Sequence, residues 1–114
     1  MELSIHTRSI EITDTLRDLI SRRLHFGLDV FQDRLSQASV YLADMNGPRG
    51  GVDKRCHITV QIRGIGEILA RAQGTSTEAA LTNASRRLKH LVSEAVKQAR
   101  RPDTESIRRM STAA

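Results

Sequence analysis

The sequence predicts an α+β fold in the order β-α-β-β-β-α. This is a two-layer sandwich: a four-stranded mixed sheet with two helices packed on one face. Three observations predict it. Four segments alternate apolar and polar residues with the period of a strand, and two longer ones repeat apolar residues at three- and four-residue steps. The first two strands are joined through a helix, which makes a right-handed parallel crossover the default. The later strands are separated by short turn-rich stretches and should pair as antiparallel hairpins. At 114 residues the chain suits one domain. We place that domain at residues 1–101 and read residues 102–114 as a disordered basic tail.

The first strand is Glu2 to Arg8, with Leu3 and Ile5 on one side and Ser4 and His6 on the other. Thr13 and Asp14 are good helix-capping residues, and a helical stripe follows: Leu16, Leu19, Ile20, Leu24, Leu28, Phe31 and Leu35, interrupted by Gly27. From Gln37 to Asp44 the period returns to two, with Ala38, Val40 and Leu42 sharing a face. The run Asn46-Gly47-Pro48-Arg49-Gly50-Gly51 is a loop. Lys54 to Arg63 is the clearest strand: Cys56, Ile58, Val60 and Ile62 form its apolar side. Gly64 and Gly66 bracket a turn, and residues 67–73 alternate again. The second helix should open near Ser76 or Thr77 and bury Leu81, Ala84, Leu88, Leu91, Val92, Ala95 and Ala99. Pro102 should end it.

The charge is unevenly placed. The chain holds 18 Lys and Arg against 13 Asp and Glu, a net charge of +5. Residues 1–50 hold six basic and seven acidic residues; residues 51–114 hold twelve and six. The excess therefore lies wholly in the second half, an asymmetry that solubility does not require. Only Phe26, Phe31 and Tyr41 are aromatic, which argues against single-strand binding by base stacking.

Other function classes have little to build on. No window is long and apolar enough to span a membrane, and the first residues lack the pattern of a signal peptide. The single Cys56 fits a reducing cytoplasm and reads as a small core residue. His6, His25, His57 and His90 show no metal-ligand spacing, and no nucleophile or nucleotide-binding motif is present. We expect no catalytic residues, no metal, no cofactor and no small-molecule substrate. A protein that is not an enzyme is the expectation.

Binding chemistry is better supplied. Arg55, His57 and Arg63 alternate onto the polar side of the third strand, with Arg71 on the fourth; His6 and Arg8 could join them. Residues 86–101 add Arg86, Arg87, Lys89, Lys97, Arg100 and Arg101, with His90 among them, against the single acid Glu94. Without interleaved acids this run suits a polyanion better than it suits a self-paired surface helix. Guanidinium forks and point charges with few stacking rings fit the phosphates of structured RNA.

The sequence also resembles the ribosome hibernation-promoting factor family, also called ribosome-associated inhibitor A or sigma-54 modulation proteins, in its short form. The residues that carry the resemblance include Leu3-Ser4-Ile5, Ile10-Glu11-Ile12-Thr13 and Val40-Tyr41-Leu42-Ala43-Asp44-Met45-Asn46-Gly47. Gly50-Gly51-Val52-Asp53-Lys54-Arg55-Cys56-His57-Ile58 is the most specific stretch, and Ala80-Leu81 through Arg87-Leu88 completes the match. The resemblance implies the same fold and makes residues 1–101 a ribosome-binding domain. It implies a cytoplasmic translation inhibitor, active in stationary phase or stress, that binds 16S rRNA in the mRNA and tRNA channel of the small ribosomal subunit. Idle ribosomes would be inactivated or stored, with a helper factor a possible partner in ribosome dimerisation. By motif position Lys54, Arg55, Arg87 and His90 would contact rRNA; Arg86, Lys89 and Lys97 rest on the charge argument. Glu78 stands where members often carry an aromatic residue, and Thr82 where an acid often follows. The alternative is a protein-binding regulator of transcription, of the sigma-54 modulation type.

Overall fold

The computed structural model describes residues 2–28, 33–45 and 53–100. Within them the order is β1 (Glu2–Arg8), α1 (Asp14–Leu28), β2 (Leu35–Asp44), β3 (Lys54–Ile62), β4 (Gly66–Gly74) and α2 (Thr77–Arg100). The strands form one sheet in the order β1-β2-β3-β4, with β1 parallel to β2 and the other pairs antiparallel. Both helices contribute to a single core against one face, as the periodicity predicts. Phe31, the loop around residues 46–52, Arg101, Pro102 and the tail lie outside the described residues.

Local chemistry sets the helix starts. Thr13 Oγ1 accepts a hydrogen bond from the Leu16 amide at 3.0 Å, which satisfies one free donor of α1's first turn. Ser76 does the same for α2, its Oγ accepting from the Ala79 amide at 3.0 Å. The hairpin between β3 and β4 turns on Gly64 and Gly66, at φ of 84° and 111°, where a side chain would be strained.

The core is the apolar side of the sheet. Val40, Leu42, Cys56, Ile58 and Val60 are fully buried beneath Ile20 of α1 and Leu81, Ala84, Leu88 and Val92 of α2. Burial pushes the Cys56 thiol up to about 12, so it carries no thiolate at neutral pH and packs as a small apolar group. Val96, absent from the expected stripe, is also buried, whereas Ala99 is exposed.

One expectation fails at the end of α1. Leu35 continues the helical spacing from Leu28, yet it opens β2. The register slips between Leu35 and Gln37, so Leu35 and Ala38 both point into the core. A bulge resets the alternation there, and period-two reading cannot follow across it. The strand begins two residues earlier than the alternation suggests.

Candidate nucleic-acid interface

The other face of the sheet carries no helix, and strand register orders its side chains into rows. Arg8, Ala43, Arg55 and Gln73 form the first row. His6, Tyr41, His57 and Arg71 form the second. Two rows further on come Glu2, Gln37, Gln61 and Glu67. The face is therefore basic at one end and acidic at the other. At the acidic end Gln61 Nε2 donates to Glu67 Oε2 at 2.9 Å.

At the basic end Arg55, His57, Arg71, Ala72 and Gln73 line a shallow depression of about 330 Å³. Arg71 lies directly opposite His57, and Arg55 is two residues away on the same strand face. The His57 ring leans on Tyr41, with centroids 5.7 Å apart and planes tilted by 44°. Burial holds His57 below the usual histidine value, and the charges of Arg71 and Arg55 push the same way. At neutral pH the depression therefore combines two guanidinium groups with a neutral imidazole.

Lys54 behaves differently from its neighbour Arg55. Its Nζ sits 3.0 Å from Asp53 Oδ1 and 3.4 Å from Asp44 Oδ2. The hydrogen bond to Asp53, with further help from Asp44, holds the ammonium above the ordinary lysine value despite its partial burial. The stabilisation is present at pH below the unfolded lysine value and is lost only as pH rises through the raised one. Lys54 thus ties the two carboxylates that flank the glycine-rich loop. Neutralised twice over, it is poorly placed to give its charge to a phosphate. Asp53 itself is buried.

Arg63 also stands apart. Its guanidinium donates to the Asp33 carbonyl at 2.9 Å and its amide to the Arg34 carbonyl at 2.8 Å, pinning the entry to β2 against the β3–β4 turn. Eight residues of strand separate it from Arg55, about 26 Å along the sheet.

The basic residues of α2 fan around its exposed side. Successive residues turn by about 100°, so the core stripe divides the rest into two flanks. One flank faces α1, where Glu78 meets Arg23 at 3.6 Å; Lys89 lies on this side. The other flank overhangs the outer edge of β4, where Asn83 Nδ2 donates to the Gln73 carbonyl at 2.9 Å. Asn83 thereby covers part of an edge that would otherwise be free to pair. Arg87 follows one turn after Asn83 on this flank. From Asn83 to Arg87 the helix advances about 6 Å, and from Gln73 back to Arg71 the strand retreats about the same distance. Arg87 therefore lies further along the flank of α2 that overhangs β4. Arg86, His90 and Lys97 are exposed and point away from the core. Lys97 approaches Glu94 at 3.8 Å, an exposed pair of little energetic weight. Arg100 closes α2, and its side chain lies outside the described set.

The structure thus brings together Arg55, His57 and Arg71 on the open face; Arg87 lies apart from them, on the β4 flank of α2. Sequence reasoning gave no role to Tyr41, Gln73 or Asn83. Tyr41 backs His57, Gln73 lines the depression, and Asn83 fixes the helix over the edge. The alternation of Tyr41 and Gln73 is legible in the sequence, but the cross-strand register that places them beside His57 and Arg55 is not. Among the described residues no group of three or more His, Cys, Asp or Glu could hold a metal. No described helix is long and apolar enough to cross a membrane.

The chain is thus a small two-layer β-α-β-β-β-α sandwich whose open sheet face is basic at one end and whose second helix exposes basic residues. Residues 3–100 match the family model described as Sigma 54 modulation protein / S30EA ribosomal protein. The chain belongs to that family of ribosome-associated proteins. Among solved structures it is similar to the N-terminal domain of Thermus thermophilus Protein Y. The identity is 28% and the TM-score 0.69, over 82% of this chain and 98% of that one. A ribosomal subunit interface protein from Coxiella burnetii shares the fold at 18% identity and a TM-score of 0.69, covering 82% and 96%. A sequence search of curated proteins returns no match.

Proposed function

We propose that this protein is a cytoplasmic translation inhibitor that occupies the mRNA and tRNA channel of the small ribosomal subunit and holds idle ribosomes inactive during stationary phase or stress. The observation that carries the reading is the basic end of the open sheet face, where Arg55, His57 and Arg71 line one depression; Arg87, on the β4 flank of α2, would extend it. Family membership and the likeness to a Protein Y domain support the ribosome as the partner. Contacts to 16S rRNA would be made mainly to phosphates, by shape and charge, with Arg86, Lys89, His90 and Lys97 extending the surface along α2. The role is one of binding, without substrate or cofactor, and inhibition follows from occupied space. Lys54 and Arg63 would serve it indirectly, by bracing the loop and the turn at opposite ends of β3.

Occlusion makes a specific forecast. In a cell-free translation system, the protein in modest excess over ribosomes should stop new initiation, and ribosomes already engaged on mRNA should be largely protected. Undiminished synthesis at saturating protein would contradict the reading. The protein-binding alternative, supported by the sigma-54 half of the family's description, would leave translation untouched.

A further inference from the structure

We propose that Arg55, His57 and Arg71 form a single phosphate-binding site on the open sheet face, and that His57 takes up a proton as the anion arrives, so that the grip tightens as pH falls. This deepens the proposed function and rests on it for the source of the phosphate, a phosphodiester of RNA. The site itself stands on the geometry of the depression.

Arg55, His57, Arg71 and Gln73 share one face and line one concave surface, so two guanidinium-bearing side chains, an imidazole and an amide-bearing side chain border the same depression. Without an anion, a proton on His57 would face Arg55 and Arg71 at close quarters in a half-buried position, and the ring stays neutral. A phosphate seated between the guanidinium groups reverses that balance. It offsets both positive charges and offers the imidazole an acceptor for a charge-assisted hydrogen bond. The Tyr41 ring behind His57 limits how far the imidazole can turn away.

The surroundings leave this linkage uncompensated. On β2 the neighbour of His57 is Tyr41, and on β1 beyond it lie His6 and Arg8. On β3 it faces Arg55, and on β4 Arg71 and Gln73. Both helices pack on the opposite side of the sheet, and Asn83 of α2 reaches the Gln73 carbonyl at the β4 edge, with Arg87 on the same helix flank. No acid occupies either basic row. Among the described residues the acids on this face are Glu67, held by Gln61, and Glu2. Asp44 and Asp53 are engaged by Lys54. An anion arriving here is therefore the negative charge the site lacks.

The sign follows from linkage. Protons are taken up on binding between the free His57 value, which lies below the ordinary 6.5 or so, and a higher value in the complex. Affinity should rise as pH falls through that window, by about tenfold for each unit separating the two values.

The test follows each histidine by NMR in the full chain, first in sodium sulfate and then in sodium chloride of equal ionic strength. Sulfate is a phosphate mimic that does not itself titrate near neutrality. The His57 titration midpoint should move up in sulfate by about one unit, and Arg71→Gln should abolish the shift while the amide spectrum stays folded. Binding to purified small ribosomal subunits is then measured from about pH 8 to pH 5.5 for wild type and His57→Gln. Wild type should tighten by about tenfold, and the variant should flatten that dependence. An unmoved His57 midpoint in sulfate overturns the site, even if subunits bind well through other basic residues. A shifted midpoint without subunit binding at any pH keeps the anion site and removes the ribosomal reading.

Discussion

Reversing Arg71 and Arg87 to Glu should cost at least about 3 kcal/mol of affinity for small ribosomal subunits, a loss of about 100-fold or more. Under the proposed function each position would trade a charge-assisted phosphate contact for a repulsion. Both side chains are exposed, so the folded state should lose no more than about 0.5 kcal/mol. Arg63→Glu is the internal comparison. It adds the same negative charge per site at the far end of β3, and its effect on binding should be several-fold smaller. Equal losses from Arg63→Glu and from either edge reversal would show that net charge, and not this surface, governs binding. Filter binding or sedimentation at fixed salt separates the two outcomes.

The second large effect is on stability. Gly74→Ala should destabilise the fold by about 3 kcal/mol, read as a lower denaturant midpoint with little change in slope. Gly74 ends β4 where α2 begins its return across the sheet. A Cβ there would stand 2.5 Å from the Ala80 nitrogen and 2.8 Å from the Ala79 carbonyl carbon. These are backbone atoms of the first turn of α2, which Ser76 holds in place by its cap. The helix start would have to shift, and Ala80 and Leu81, both fully buried, would shift with it. Gly64→Ala meets open space and should cost only about 1 kcal/mol, all of it from its positive φ. Equal effects at the two glycines would refute the close-packing argument.

Most of the fold was legible because its signals are local. Alternation located every strand, and the caps at Thr13 and Ser76 mark where the helices begin. The misplaced Leu35 shows where local signals stop. Seven residues after Leu28 is a good helical position, and only the bulge before Gln37 explains why a strand residue also reaches the core. Val96 was missed and Ala99 included because the stripe follows helix phase alone, while burial also depends on where the sheet ends beneath it.

The site was legible in composition and much less so in arrangement. Alternation places Arg55, His57 and Arg71 on polar sides of their strands. Register alone puts His57 opposite Arg71, between it and Tyr41. Lys54 and Arg63 looked equivalent to Arg55 as basic residues of one strand. Their partners come from other segments, Asp44 on β2 and the Asp33 carbonyl ahead of it, and no spacing within β3 reveals those bonds. Arg86, Arg87 and Lys89 are close in sequence, yet helix geometry sends Arg87 toward the β4 edge and Lys89 toward α1.

If the basic surface binds the small ribosomal subunit through rRNA phosphates, the affinity must depend steeply on salt. Co-sedimentation with purified small subunits across a salt series tests it most directly. Stoichiometric association is expected at low salt, with a linear fall of log affinity with log salt whose slope reflects several phosphate contacts. The Arg71→Glu, Arg87→Glu pair should flatten that slope by about two contacts. Absent association, or association that persists unchanged at high salt, would contradict the account.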